Sequence, residues 1–364
     1  MSIAGKARLG FALLFMGLTA TARAQDLPAL KGLNDTARAE VLQMIEGAKK
    51  EGSLNYSDTI IQPTTNDVLV AAFRAHYGLP SSFPVNFTLL TSGAMITRVE
   101  QELAANRVTF DVAAIGSPTW TFDRHKAGAF MKYRSREYDA YQDVIKAGLG
   151  VDGSFVLNGG YAQIPIWNAD ILRFDGASYR DALKAAVPGR FSIGDVVQSE
   201  SHLTTYAGLR QVLDVDFFKE MAKKKPTFVG RSEQSAQRIL TGQDVIAFGG
   251  NPSRVHQSNQ KGAKLRILYP SEGFTFLPQL TFIMAKAPHP NAAKLWMDFI
   301  LSETGQQILA NREALISGRA NFKSPIPDIA PDFSSLKIIK VDWEKMTADQ
   351  LMKYREEWIN IFNP

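Results

Sequence analysis

Short apolar runs alternate with segments of helical period from residue 34 to about 118, and each run closes on a small polar turn. Asn34 or Asp35 opens a helix to about residue 50, with Val41, Met44, Ile45 and Ala48 on one face and Gly52 as its stop. A strand near 53–56 leads to Ser57-Asp58. A second helix carries Val68, Val70, Ala71, Ala72 and Phe73 and ends near Gly78-Leu79-Pro80. A strand over 85–90 leads to Thr91-Ser92-Gly93, and a helix follows with Met95, Ile96, Val99 and Leu103 on one side. The apolar run 110–115, bounded by Gly116-Ser117-Pro118, reads as a buried strand. This β-α-β-α-β order calls for a mostly parallel sheet with helices on its faces. Ligands of such sheets bind outside the carboxyl ends of the strands, where Ser57-Asp58, Ser92-Gly93 and Ser117 sit.

The second half continues in this style. Strands are expected near 163–166, 190–193, 245–248, 264–269 and 281–285. A polar stretch over 195–205 leads into a helix through Leu209, Val212 and Leu213, and 235–240 is helical. Residues 291–301 form a strongly amphipathic helix, and the tail 347–363 another, with Leu351, Tyr354 and Trp358 at helical spacing.

Chemistry is constrained mostly by exclusion. With no cysteine in 364 residues, the chain has no disulfide scaffold, thiol nucleophile or thiolate metal site. Its five histidines are scattered, without an HExxH pair. Gly148-Leu149-Gly150-Val151-Asp152-Gly153 matches GxGxxG but follows a helix-like stretch rather than a strand, so it reads as a loop and not as a dinucleotide site. No cofactor and no metal site is expected. Serines do recur at strand-to-helix turns: Ser92-Gly93 opens one helix and Ser199-Glu200-Ser201-His202 another. Helix N-termini carry free N–H groups and roughly half a positive charge, which suits an anion; an ordinary N-cap uses the same residues. Arg254, just after Gly249-Gly250-Asn251-Pro252-Ser253, can pair with a carboxylate or phosphate, or serve as a solvated charge at a helix start.

The formal charge of +5 invites a nucleic-acid reading. Much of that charge lies in a leader. Lys6 and Arg8 precede an apolar run over 9–20, and Ala22-Arg23-Ala24 offers a small-residue cleavage site. The run is too short for a spanning helix, which needs about 20 residues. Residues 1–24 read as a secretory signal peptide, with export to the periplasm in a two-membrane bacterium. Its removal takes away three basic residues and no acidic one, so the charge falls from +5 to +2. No nucleic-acid partner is expected, and Lys223-Lys224-Lys225 reads as a solvated surface.

Three groups of residues carry a family resemblance. The first is Ala48-Lys49-Lys50-Glu51-Gly52 before a strand, with Ala72-Phe73 in the next helix. The second is Ser92-Gly93-Ala94 with Arg98-Val99 and Glu102, then Asp111-Val112. The third is Tyr269-Pro270-Ser271-Glu272-Gly273, Ala287-Pro288-His289-Pro290, Ala292-Ala293-Lys294-Leu295, Phe299-Ile300-Leu301-Ser302 and Gly305-Gln306. Together they resemble the extracellular solute-binding proteins of ABC importers, in the group that includes ferric-iron, thiamine, polyamine and aminoethylphosphonate binders. The resemblance implies an α/β, two-lobed periplasmic binding protein fold (type II-like), with mixed, mostly parallel sheets flanked by helices and a hinge between the lobes. It implies lobe one over 25–157 plus 270–320 and lobe two over 158–269 plus 321–364. It implies a non-enzymatic monomer that encloses a small solute between its lobes and passes it to an inner-membrane permease.

The ligand-binding residues expected on this pattern are Ser57, Asp58, Ser92, Gly93, Ser117, Trp167, Ser199, Ser201, Asn251, Arg254 and Glu272. Trp167-Asn168 stands where relatives have an aromatic-Asn or aromatic-Asp pair. Ferric binders of the family carry adjacent tyrosines after the strand that here is 245–248, whereas this chain has Gly249-Gly250-Asn251. Asp58, Asp195, Glu200 and Glu272 supply part of the acidity a polyamine needs, while the hydroxyls, helix starts and Arg254 favour an organic carboxylate or phosphonate. A metal or polyamine binder, a sensory binding partner, or an exported hydrolase with Asp58 or Glu272 as base are the alternatives; the last needs a nucleophile–base pair.

Overall fold

A computed structural model describes residues 27–362, so the expected signal peptide and cleavage site lie outside the described residues. The chain runs α1 (Asp35–Glu51), β1 (Leu54–Asp58), α2 (Pro63–Tyr77), β2 (Val85–Leu89), α3 (Ser92–Ala104), β3 (Val112–Ile115), α4 (Pro118–Lys126), α5 (Gln142–Lys146), β4 (Gly150–Val151) and β5 (Phe155–Ala162). It then passes through β6 (Ile164–Asn168), α6 (Tyr179–Ala185), β7 (Phe191–Gly194), α7 (Glu200–Leu209), α8 (Val215–Lys223), β8 (Thr227–Val229), α9 (Ser232–Leu240), β9 (Ile246–Gly250), α10 (Pro252–Asn259) and β10 (Leu265–Ile267). The last elements are β11 (Phe276–Ile283), α11 (Pro290–Leu301), α12 (Glu303–Glu313) and α13 (Ala348–Phe362).

Two sheets result. The first has the order β2-β1-β3-β11-β5-β4 and the second β10-β6-β9-β7-β8. Pairs β1–β2, β1–β3, β7–β8 and β7–β9 are parallel, as the alternating pattern requires. The pairs of β11 with β3 and β5 are antiparallel, because β11 returns from the second sheet to the centre of the first, and β4–β5, β6–β9 and β6–β10 are antiparallel as well. The sheets are therefore mixed, with parallel pairing confined to the β-α-β units.

Local chemistry explains the element limits. Asn34 caps α1 by accepting from the Ala37 amide at 2.9 Å, and Gly52 ends it with φ 81°. Thr91 caps α3, Asp214 caps α8 and Ser302 caps α12. Proline stands at the start of α2, α4, α10 and α11, where its missing N–H costs nothing. β5 and β11 are buried along their whole length, as central strands covered on both faces must be. The GxGxxG segment is the turn and short strand β4 that pairs back on β5.

One continuous core surrounds the first sheet, centred on Trp296, whose ring meets Tyr56, Phe73 and Phe299. The second sheet has separate clusters on its two faces. Helix α13 packs on α7 and α8, with Leu351, Trp358 and Phe362 in the larger of these clusters. Before it, Ala330 and Trp343 belong to the first core.

Candidate functional site

The site is built where the chain crosses between sheets. β5 ends the first sheet at Ala162, Gln163 follows, and β6 begins the second at Ile164. Gln163 Nε2 donates to Ser201 Oγ at 3.3 Å, and its Oε1 accepts from Thr205 Oγ1 at 2.8 Å. Ser199 and Ser201 share a hydrogen bond of 3.0 Å at the start of α7. Ser199 holds the N-cap position, but its side chain makes no capping bond, which leaves the hydroxyl to this cluster. Tyr161 joins through Ser201; burial pushes its phenol up to about 12, the Ser201 bond opposes that rise, and the charges of Glu233 and Asp58 add to it. The phenol is therefore protonated at neutral pH and can donate.

The first sheet contributes from the other side. Gln279 of β11 donates to Asp58 Oδ1 at 3.1 Å and to Thr59 Oγ1 at 3.0 Å. A Cβ on Gly116 would stand 3.6 Å from Gln279 Oε1 and 3.7 Å from the Tyr161 hydroxyl, so the Gly116-Ser117 turn borders the same cluster. Helix α3, which Ser92-Gly93 opens, is in contact with α7.

Charged groups flank these hydroxyls and amides. Arg254 pairs with Glu233 at 2.6 Å and donates to Gln257 Oε1 at 2.7 Å, while its Nε is buried without a partner. Glu313 is fully buried; its Oε1 accepts from the Gln62 amide at 2.9 Å and its Oε2 has no partner. Burial pushes the Glu313 carboxyl up, and hydrogen bonds from Thr65 and Gln62 and the charge of Arg254 oppose that rise. The unpartnered Arg254 Nε and Glu313 Oε2 are left with hydrogen-bonding capacity to spare.

Four expected ligand residues are consumed by the fold instead. Ser57 is an in-strand residue whose hydroxyl donates to the Thr88 carbonyl at 3.1 Å. Asp58 is fully buried: Oδ1 accepts from the Ile60 and Ile61 amides and from Gln279, and Oδ2 from the Tyr56 hydroxyl. It holds the turn after β1, and neither oxygen is exposed to a solute. Trp167 packs edge-on against Phe174 in the second core, because β6 runs two residues further than its apolar run suggests. Glu272 accepts from the Tyr179 amide at 3.1 Å, at the start of α6. Asp195 and Glu200 are likewise engaged, by the Val197 and Gln198 amides and by Arg355. Lys224 is no solvated charge, since its Nζ donates to the carbonyls of Leu183 and Ala186.

Ser117, Ser199 and Ser201 stand in or beside the cluster. Asn251 caps α10 through the Ser253 amide and so positions Arg254. At the start of α3, Ser92 is half-buried and Gly93 exposed, and a Cβ at Gly93 would meet no atom within 4 Å. Tyr161, Gln163, Thr205, Glu233, Gln279 and Glu313 escape sequence reading. Their one signal is a polar side chain next to or inside an otherwise apolar strand, as with Gln163 between β5 and β6 and Gln279 in the middle of β11.

Gly249-Gly250 has a packing reason. A Cβ at Gly250 would fall 2.3 Å from Ile166 Cγ2, and one at Gly249 3.2 Å from the Gly194 nitrogen. A side chain at Gly250 needs the Ile166 side chain to move, and one at Gly249 needs the backbone at Gly194 to give by a few tenths of an ångström. Among the described residues no group of three or more His, Cys, Asp or Glu is placed to hold a metal ion.

No curated protein matches the sequence. Among solved structures, the periplasmic binding protein AfuA from Actinobacillus pleuropneumoniae, with fructose-6-phosphate bound, is similar at 20% identity, covering 86% of this chain and 99% of its own with a TM-score of 0.67. Iron-bound HitA from Pseudomonas aeruginosa is 14% identical over 85% of this chain and 99% of its own, with a TM-score of 0.67. The substrate binding protein of an ABC transporter from Agrobacterium tumefaciens is 12% identical over 92% of this chain and 97% of its own, with a TM-score of 0.72. These likenesses show the two-lobed α/β fold of periplasmic binding proteins. The family model of the bacterial extracellular solute-binding proteins matches residues 68–334, most of the chain. The chain therefore belongs to the bacterial extracellular solute-binding protein family.

Proposed function

We propose that this protein captures a small organic anion, a carboxylate or phosphonate, between its lobes and delivers it to an inner-membrane ABC permease. The observation that carries this reading is the hydroxyl and amide cluster of Tyr161, Gln163, Ser199 and Ser201 at the start of α7, with Arg254 beside it. Neutral donors at a helix N-terminus stabilise an anion without the desolvation cost of a second buried charge. Arg254 adds a cation whose partner, Glu233, is itself half exposed and so can be displaced. Fructose-6-phosphate in AfuA and iron in HitA are the ligands of those proteins.

In this reading the first lobe takes residues 27–162 and 270–320, ending after β5 rather than at 157 because all of β5 belongs to the first sheet, and the second takes 163–269 and α13. Segment 321–346 lies along both. The crossings at Gln163 and before β11 act as the hinge, and a solute touching both lobes favours the closed state. Export follows cleavage after Ala24, and the working form is a monomer in the periplasm.

A thermal-shift series with succinate, 2-aminoethylphosphonate, a sugar phosphate, ferric citrate and spermidine tests this. A bound carboxylate or phosphonate raises the melting temperature without being consumed; saturation a hundredfold above Kd adds about 2.7 kcal/mol. Arg254→Ala is expected to weaken that binding ~10- to 100-fold, through loss of a charge-assisted hydrogen bond. Unchanged affinity in R254A overturns the anion assignment, and turnover of the stabilising compound overturns the binding role.

A further inference from the structure

Three residues far apart in sequence meet at the amino ends of β1 and β3, at the opposite end of the first sheet from the polar turns. Ser53 Oγ lies 3.1 Å from His289 Nε2, and His289 Nδ1 lies 2.9 Å from Asp111 Oδ2. Asp111 is fully buried and accepts in every side-chain contact it makes, from the His289 amide at 2.6 Å and the Asn55 amide at 2.7 Å as well as from the ring. An acceptor-only carboxylate fixes the tautomer: Nδ1 carries the proton, and Nε2 is left with a lone pair facing Ser53. The Ser53 hydroxyl then donates to Nε2, the polarity a nucleophilic serine needs. The ring is held from both sides, because Asp111 also fixes the backbone of His289. Ser53 is half-buried and follows Gly52, whose left-handed backbone turns the chain from α1 into β1.

We propose that Ser53 is an activated nucleophile, with His289 as its general base and Asp111 as the positioning residue, and that it accepts acyl groups from small activated esters. The Ser53 oxygen attacks the carbonyl carbon, its proton passes to His289 Nε2, and the ester C–O bond breaks with its electron pair leaving on the alcohol or phenol oxygen. The proton then passes to that leaving group or to water, and the acyl group stays on Ser53. The neighbourhood limits the reaction to acyl transfer with slow release. Glu51 already accepts the Asn291 and Ala292 amides at the start of α11, so these N–H groups are not free to cradle an oxyanion. This activity is independent of solute capture between the lobes.

The test is 4-nitrophenyl acetate, with the acetylated residue located by peptide mass spectrometry, since any exposed imidazole also releases nitrophenol. The expected result is one acetyl group on Ser53, formed at least ~10-fold faster in the native protein than in the guanidine-unfolded chain. The adduct disappears in Ser53→Ala and slows at least ~10-fold in His289→Gln. Asp111→Asn also slows it, because an amide at 111 can donate to Nδ1 and turn Nε2 into a donor. If H289Q or D111N fails to fold, the native-to-unfolded ratio of the wild-type chain decides. An unlabelled Ser53, or labelling at equal rates in native and unfolded protein, overturns the proposal.

Discussion

Asp298 of the first lobe and His202 of the second are both nearly sealed from solvent, at 3% and 4% exposure, yet the fold treats them differently. Asp298 accepts from the Tyr133 hydroxyl at 3.0 Å and from Arg136 Nε at 3.3 Å. Burial pushes its carboxyl up to about 6, against the pull of Ser135, Arg136 and Tyr133. His202 lies in a slot so tight that a Cβ on Gly194 would stand 2.5 Å from its ring. Neither ring nitrogen has a partner of good geometry, and burial lowers the imidazole to about 4, although the nearby Asp195 favours its charged form. His202 also lines a cavity of about 50 Å³ in the second lobe, together with Tyr179, Phe217, Phe218, Trp358 and Phe362. The Tyr179 hydroxyl is buried and unpartnered too. Asp298 thus has the polar partners that His202 lacks, and it sits in the first lobe, whose core is continuous. The second divides its core over two sheet faces and leaves a void beneath α7, the helix that carries Ser199 and Ser201. A void under the helix proposed to meet the solute is the combination expected of a lobe that adjusts on binding.

The largest test of this contrast is Trp296→Ala. Losing a fully buried indole that three aromatic rings touch is expected to cost ~3–5 kcal/mol in denaturant melts. A cost below ~1 kcal/mol breaks the description of the first core as tightly filled.

The pH dependence gives a second test of similar size. The folded state holds the Asp298 proton up to about 6, against 3.8 for an ordinary aspartate, so this contribution to stability is present at low pH and lost as pH rises through about 6. His202 works in the other direction. Its folded value of about 4 lies below the ordinary 6.5, so its contribution is present above 6.5 and lost as pH falls toward 4. Each amounts to ~3 kcal/mol, and in wild-type protein they nearly cancel between pH 4 and 7. His202→Gln removes one side of the balance, making stability at pH 7 lower relative to pH 4 by ~3 kcal/mol; Asp298→Asn makes it higher by a similar amount. Parallel melting-temperature profiles for the two variants would show that the groups are not opposed as described.

The smallest effect concerns the void itself. Val196 lines it, and Val196→Ile adds one methylene, worth up to ~0.8 kcal/mol of added stability if the group enters the cavity. The same type of change in the filled first core, Val99→Ile, is expected to destabilise by ~1 kcal/mol or more. Equal effects at the two positions would remove the distinction between the lobes.

Legibility from sequence varied with local chemistry. Helix α1 was readable at both ends because Asn34 and Gly52 act within their own turns. β5 was not, since Asn158-Gly159-Gly160 reads as a turn; in the fold, the Phe276 ring of β11 fills the space a Cβ on Gly160 would occupy. β8 is only Thr227–Val229, too short for a period to show. At the candidate site, the grouping of Ser199 and Ser201 was legible because both stand at one helix start, where their hydroxyls bond each other. Asp58 was misleading for the same reason: an aspartate at a strand end also suits a turn, and here its oxygens are taken by Ile60, Ile61, Gln279 and Tyr56.

Alternating apolar runs and helical periods, with caps at the turns, are nearest-neighbour properties of the chain, and they suffice for the α/β class and for polar groups at the strand ends. They also carry the markers of the extracellular solute-binding family. The tertiary structure alone decided which polar residues remain available to a solute, because that depends on partners such as Gln279 for Asp58, 221 positions away. It also brought Ser53 to His289 across 236 positions. No local pattern encodes such meetings, since they exist only once β11 has returned from the second sheet to the middle of the first.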